Sequence, residues 1–220
     1  MIELPDFTKA FEYENNFYLS CDNSRIEKII SHYELFKMTN DLPGAIVECG
    51  VFKGASLCRF AAFREAYGSH RSKKIIGFDM FADFPETNYK EDKLYRQNFI
   101  DSAGSKSISL DQLKTVLSQK GVNKNIELIA GNINSTVPEY VLKNPNLKIS
   151  LLNLDTDIYE PAVTILEHLF PRIVRGGILI IDDYGVFPGE TKAVDEFFKD
   201  QKIKVQKFPF SMTPSFVVKD

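Results

Sequence analysis

The sequence predicts an α/β fold: a mostly parallel sheet with helices on both faces and an antiparallel hairpin at one edge. Three observations point there. Short apolar runs at Ala45 to Glu48, Lys74 to Asp79, Ile126 to Ala130, Ile149 to Leu154 and Gly177 to Ile181 read as strands. Segments of helical character stand between most of them, which implies parallel neighbours covered on both faces. The last two extended runs, Lys204 to Phe208 and Ser215 to Val218, are joined by a loop containing Pro209 and Pro214 with no helix, so they pair antiparallel.

In chain order, Ser24 to Met38 repeats Ile26, Ile29, Ile30, Tyr33 and Phe36 at helical spacing, with Asn23 or Ser24 as cap. It belongs to a helical N-terminal extension over residues 1–40. Pro43-Gly44 turns the chain into the first strand. Gly50 to Gly54 is a loop, and Ala55 to Tyr67 a helix stopped by Gly68. After the second strand, Phe81 to Ile108 is long, mixed in charge and weakly periodic. A loop of that length inside a compact domain is usually functional or disordered, so it is expected to be a lid, an ordinary surface excursion being the alternative. Ser109 to Lys120 is a helix capped by Ser109 and stopped by Gly121. Glu160 to Val174 is expected to be a helix bent near Pro171, and Thr191 to Asp200 the next helix.

The 220 residues suit a single domain with one sizeable core. A net charge of −3 and a pI near 5.7 argue against a nucleic-acid surface as the main function. No apolar run approaches the roughly 20 residues of a membrane helix, and the start of the chain lacks a secretory pattern. Three cysteines (Cys21, Cys49, Cys58) without paired spacing suggest a reduced, cytoplasmic protein. His32, His70 and His168 have no recognisable partners.

Three motifs carry chemistry. In Glu48-Cys49-Gly50-Val51-Phe52-Lys53-Gly54 the glycines permit a tight turn and close approach at a helix start. Glu48 could accept hydrogen bonds from a ligand's amino group. The GxGxxG fingerprint of dinucleotide sites is absent. The plain alternative is a structural βα turn. Asp79 ends the next strand, where a carboxylate can take both hydroxyls of a ribose or cap a helix. Asp155-Thr156-Asp157 and Asp182-Asp183 each follow an apolar strand, so neighbouring strands would bring them to one rim. Clustered carboxylates repel and raise one another's pKa values, which a hard divalent cation relieves; two separate helix caps are the alternative. Asp182 and Asp183 point to opposite sides if the strand continues, and can share an ion only if the chain turns at Tyr184-Gly185.

Three segments, Val47 to Gly54, Leu154 to Glu160 and Gly176 to Gly185, resemble the macrocin O-methyltransferase family. The likeness runs from about Arg25 to Asp200. It implies a Rossmann-like class I fold dependent on S-adenosylmethionine (SAM), with a seven-stranded sheet, acting on sugar hydroxyls with SAM and Mg²⁺ or another divalent cation. By position it implies that Asp155, Asp182 and Asp183 bind the metal and that Asp157 is the general base. Glu48 and Gly50, with Gly54 in the same loop, belong to the methionine end of the SAM site, Asp79 to the ribose, and Gly131-Asn132-Ile133 with Ser109 to the adenine. Asp155 borders the cofactor as well. The chain departs from longer members by carrying less sequence at both ends and by matching only loosely after Asp79, which affects the acceptor most.

The expected partner is a small hydroxyl acceptor, a sugar or glycosylated metabolite, with a homo-oligomer in which a second subunit supplies one wall of the pocket. Two alternatives stand beside it: a metal-dependent enzyme acting on catechols, and a SAM-binding module without catalysis.

Overall fold

The computed structural model describes residues 2–220. Strands β1 (Ala45–Cys49), β2 (Ile75–Asp79), β3 (Ile126–Ala130), β4 (Ile149–Leu154), β5 (Ile173–Ile181), β6 (Gln206–Lys207) and β7 (Ser215–Val218) form one sheet in the order β3-β2-β1-β4-β5-β7-β6. The pairs among β1 to β5 are parallel, and β7 runs antiparallel between β5 and β6. The strand order reverses between β1 and β4, so a crevice opens at their C-terminal ends.

The helices are α1 (Ala10–Ser20), α2 (Asn23–Thr39), α3 (Ala55–Tyr67), α4 (Asp92–Ala103), α5 (Leu110–Gln119), α6 (Ile133–Lys143), α7 (Tyr159–His168) and α8 (Pro188–Phe198). Strand alternation sorts the core into two layers. Ile46, Leu151, Ile178 and Ile180 pack with α2, α3 and α5. Val47, Cys49, Leu152, Leu154, Leu179 and Ile181 pack with α6, α7 and α8. Every residue of β1, β2 and β4 is buried, as strands covered on both faces require. Among the described residues, no helix is long and apolar enough to cross a membrane.

Several boundaries differ from the sequence reading. The cap of α2 is Asp22, whose side chain accepts from Ser24 N, one residue before the expected caps. The helix expected over 160–174 ends at His168. A 3-10 turn follows at Phe170–Arg172, and Ile173 already pairs in β5 beside Ile149. Gly176, at φ +77°, lets β5 bulge before it resumes pairing at Ile178. The expected strand over 204–208 shortens to Gln206–Lys207.

Two helices were missed. In α6, the buried positions Ile133, Val137, Tyr140 and Val141 keep helical spacing, but Pro138 sits inside the helix and masks the pattern. In α4, the only buried residue is Asp92, so no apolar core stripe betrays the helix. The 81–108 segment is thus structured and pinned at its base. Ile108 N donates to Phe52 O at 2.8 Å, Ser107 N to Ala82 O at 2.9 Å, and Phe84 N to Ser105 O at 2.7 Å.

Candidate active site

A cavity of about 740 Å³ opens at the C-terminal ends of β1, β2, β4 and β5. Phe52, Phe84, Phe99 and Phe187 cover part of it, with Phe52–Phe99 and Phe84–Phe99 ring centroids 5.2 and 5.5 Å apart.

One half is built by the loop after β1. Gly50 has φ +92°, and a Cβ there would stand 1.6 Å from the Asp155 carbonyl oxygen. Only glycine lets the β1 and β4 loops approach so closely. Gly54, at φ +84°, starts α3. Asp79 braces this loop: its Oδ2 accepts from Val51 N at 2.9 Å and Phe52 N at 3.0 Å, and its Oδ1 from Phe81 N at 2.6 Å. Burial pushes the Asp79 carboxyl up, against the pull of these amides. A carboxylate has about four acceptor sites, so the backbone takes most of them while Asp79 still lines the cavity.

Glu48 shares the face of Ile46 and lies fully buried behind the cavity. Its Oε1 accepts from Ser56 Oγ at 2.5 Å, and Oε2 has no partner. Burial pushes its pKa up to about 8, against Ser56 and Arg59. Ser56 and Arg59 reach the cavity and Glu48 does not. Asn132 and Ile133 line the cavity, and Asn132 also caps α6 through a 2.9 Å bond from Asn134 N. Ser109 stays outside the lining. Its hydroxyl closes a capping box with Gln112, each bond 3.2 Å, while Ser107, two residues earlier, lines the cavity.

The other half is acidic. Because β5 alternates, Asp182 turns to the α2 face with Ile178 and Ile180, while Asp183 turns away from it. The structure sets Asp182 close enough for its charge to raise Asp155 and Asp183, and it groups Asp157 with Asp155 and Asp183. One oxygen from each of these three lies within 4.8 Å of the others. Asp157 reaches the group from a left-handed backbone at φ +64°. Burial raises the pKa of all three well above the ordinary carboxylate range, and their mutual charges add to it. Three carboxyl groups so placed suit a hard divalent cation, since oxygen donors are what Mg²⁺ or Ca²⁺ takes.

Asp182 instead forms an ion pair with Lys28 of α2. Burial alone would raise the Asp182 carboxyl, but the Lys28 ammonium and then His32 hold it below the ordinary range. Arg59 Nη1 lies 3.0 Å from His32 Nδ1. A guanidinium only donates, so Nδ1 accepts and the ring proton sits on Nε2, facing Asp182 Oδ1 at 3.6 Å. The His32 ring also stacks on Phe60 at 5.0 Å.

The sequence reading missed these basic residues and two buried carboxyl groups. Lys28 and His32 stand four apart on α2, a same-face spacing that was available. Glu190, in the first turn of α8, accepts from Asp183 N at 2.8 Å and Thr156 N at 3.4 Å, so it ties the two acidic loops together. Asp92 of α4 accepts from Tyr159 N at 2.9 Å and Gly189 N at 2.7 Å, joining the cover to the starts of α7 and α8.

The family model described as "Macrocin-O-methyltransferase (TylF)" matches residues 22–213. The chain belongs to the macrocin-O-methyltransferase family. A 4'-O-methyltransferase of Streptomyces olivaceus, named for a dimethoxy-rhamnosyl tetracenomycin C, is 27% identical over 151 residues, covering 68% of this chain and 56% of the relative. The mycinamicin III 3''-O-methyltransferase of Micromonospora griseorubida is 27% identical over 165 residues, 73% of this chain and 62% of the relative. The chain thus spans about 56–62% of the length of these relatives. The calicheamicin methyltransferase CalS11 superposes with a TM-score of 0.72 at 26% identity, covering 94% of this chain and 84% of that one. The O-methyltransferase NovP superposes with a TM-score of 0.73 at 22% identity, covering 89% and 79%, which shows the shared fold. This macrocin-O-methyltransferase family member therefore has the Rossmann-like methyltransferase fold, with the antiparallel C-terminal strands at one sheet edge.

Proposed function

We propose that the protein is a SAM-dependent, divalent-metal-dependent O-methyltransferase acting on a hydroxyl of a sugar or glycosylated metabolite. The observation that carries this reading is one cavity walled by a glycine turn on one side and three converging carboxyl groups on the other. Family membership and the sugar-containing names of the relatives favour a sugar acceptor. An assembly of this chain with itself, a second copy covering Phe11, Tyr18 and Leu19 exposed on α1, is part of the proposal. So is a cytoplasmic location.

Gly50 clears space beside Asp155, Asp79 holds the loop in shape, and Ser56, Arg59, Asn132 and Ile133 offer contacts along the cofactor's length. SAM bound there supplies an electrophilic methyl group on a sulfonium. Asp155, Asp182 and Asp183 would hold the divalent ion, whose charge stabilises a developing alkoxide. Asp157, grouped with Asp155 and Asp183 but left off the ion in this reading, takes the acceptor's proton. Phe84, Phe99 and Phe187 exclude water and cover the apolar face of a sugar ring. Alignment of the two reactants supplies much of the rate.

The test is transfer of labelled methyl from SAM to a panel of glycosides, nucleotide sugars and catechols, with Mg²⁺ or with EDTA. Metal-dependent sugar methylation is expected. Catechol turnover without sugar turnover would move the acceptor class, and SAM binding without any turnover would favour a binding module.

A further inference from the structure

We propose that Lys28 is a built-in counter-cation of the carboxyl cluster and competes with the divalent ion for it. This rests on the reading of Asp155, Asp182 and Asp183 as an ion site. The two acidic loops carry four aspartates, and Lys28 is the ammonium that reaches them. It pairs with Asp182 Oδ2, while Asp182 Oδ1 is buried without a hydrogen-bond partner and faces only His32 Nε2 at 3.6 Å. Lys28 and His32 thus face Asp182 from α2, while the charge of Asp182 also acts on Asp155 and Asp183. The neighbouring guanidinium of Arg59 is engaged with the His32 ring.

Lys28 also lines the cavity with Asp155, Asp182 and Asp183. An incoming divalent ion meets a positive charge already in place. It either binds against that repulsion or displaces the ammonium from Asp182, and both lower its affinity. Lys28 stands on α2 beside Arg25 and Ile29, which with Phe17 of α1 form one wall of the cavity.

The experiment is titration of the full chain with Mn²⁺, followed by electron paramagnetic resonance, for wild type, Lys28→Gln, Lys28→Met and Lys28→Arg. Circular dichroism and SAH calorimetry confirm the fold of each. Removing the ammonium should tighten Mn²⁺ by roughly tenfold or more, and Lys28→Arg should restore the wild-type value. Equal or weaker binding by folded Lys28→Gln and Lys28→Met overturns the proposal alone. No Mn²⁺ binding by any form overturns it together with the ion site. On the unmutated protein, the Lys28 side-chain carbon resonance should shift at saturating Mg²⁺; a resonance that stays in place while Mg²⁺ binds overturns the competition.

Discussion

Replacing Asp92 with alanine removes one carboxyl group that holds three elements at once. Its two oxygens accept from Tyr159 N and Gly189 N at 2.9 and 2.7 Å, in the first turns of α7 and α8, and the residue is fully buried. Each hydrogen bond to a charged acceptor contributes about 1.5–3 kcal/mol, and an acidic group at a helix start adds about 0.3–1 kcal/mol. Water can enter the space left and recover part of this, so the expected loss is about 2–5 kcal/mol. For a chain of this size each kcal/mol lowers Tm by roughly 2–4 °C, so Tm should fall by roughly 5–15 °C. Asp92→Asn keeps one acceptor but turns its NH₂ toward the other amide, and should lose about half as much. The decisive assay pairs urea denaturation with limited proteolysis mapped by mass. Cleavage within 83–108 should appear in Asp92→Ala before the global transition, because α4 has no other buried residue to hold it. A stability within about 0.5 kcal/mol of wild type, with no new cleavage there, would refute the tether.

Three further outcomes follow from the site. Asp79→Ala releases the amides of Val51, Phe52 and Phe81, so SAH affinity measured by calorimetry should fall by about 1–3 kcal/mol; unchanged affinity would remove Asp79 from the cofactor site. Glu190→Gln loosens the shared anchor of Asp183 and Thr156, so Mn²⁺ affinity should drop by about tenfold while SAH affinity stays; equal losses of both would mark a general structural defect. The pKa values of Asp155, Asp157, Asp183 and Glu190 are raised, burial foremost, and that of Glu48 reaches about 8. A carboxyl group with a raised folded pKa stabilises the fold below its unfolded pKa and loses that contribution as pH rises through the folded value. In EDTA, Tm should therefore fall as pH rises from about 4.5, the ordinary glutamate value, to about 8, that of folded Glu48. Mg²⁺ should restore most of it at the alkaline end, since metals take deprotonated ligands. A flat profile in EDTA would count against the buried cluster. Asp182 has the opposite sign, and its contribution is lost only in strong acid.

The strands and the glycine turn were readable because apolar runs and turn residues are local signals. Which way an aspartate faces was readable in part. Alternation separated Asp182 from Asp183, but whether the chain turned back after them depended on Glu190, seven residues beyond Asp183 and buried by tertiary packing. Lys28 could not be placed from the sequence, since its partner lies 154 residues away. Ser109 was readable as a cap, and the capping box is what keeps its hydroxyl from the cavity. α4 escaped notice because a helix that covers a cavity lacks the core-facing stripe that periodicity detects.

The contact between Gly50 and Asp155 has a thermodynamic side. Gly50 N donates to Phe78 O of β2 at 2.9 Å and Asp155 N to Cys49 O of β1 at 3.0 Å, so the loop after β1 and the first acidic residue are fastened to adjacent strand ends. With no side chain between them, neither loop can shift without moving the other. A ligand that displaces one loop then changes the free energy of filling the other half of the cavity. Such a dependence is reciprocal: whatever factor the cofactor imposes on ion affinity, the ion imposes on cofactor affinity. Order of addition would alter the path to the loaded enzyme and leave its stability the same, and one glycine would set the size of the coupling.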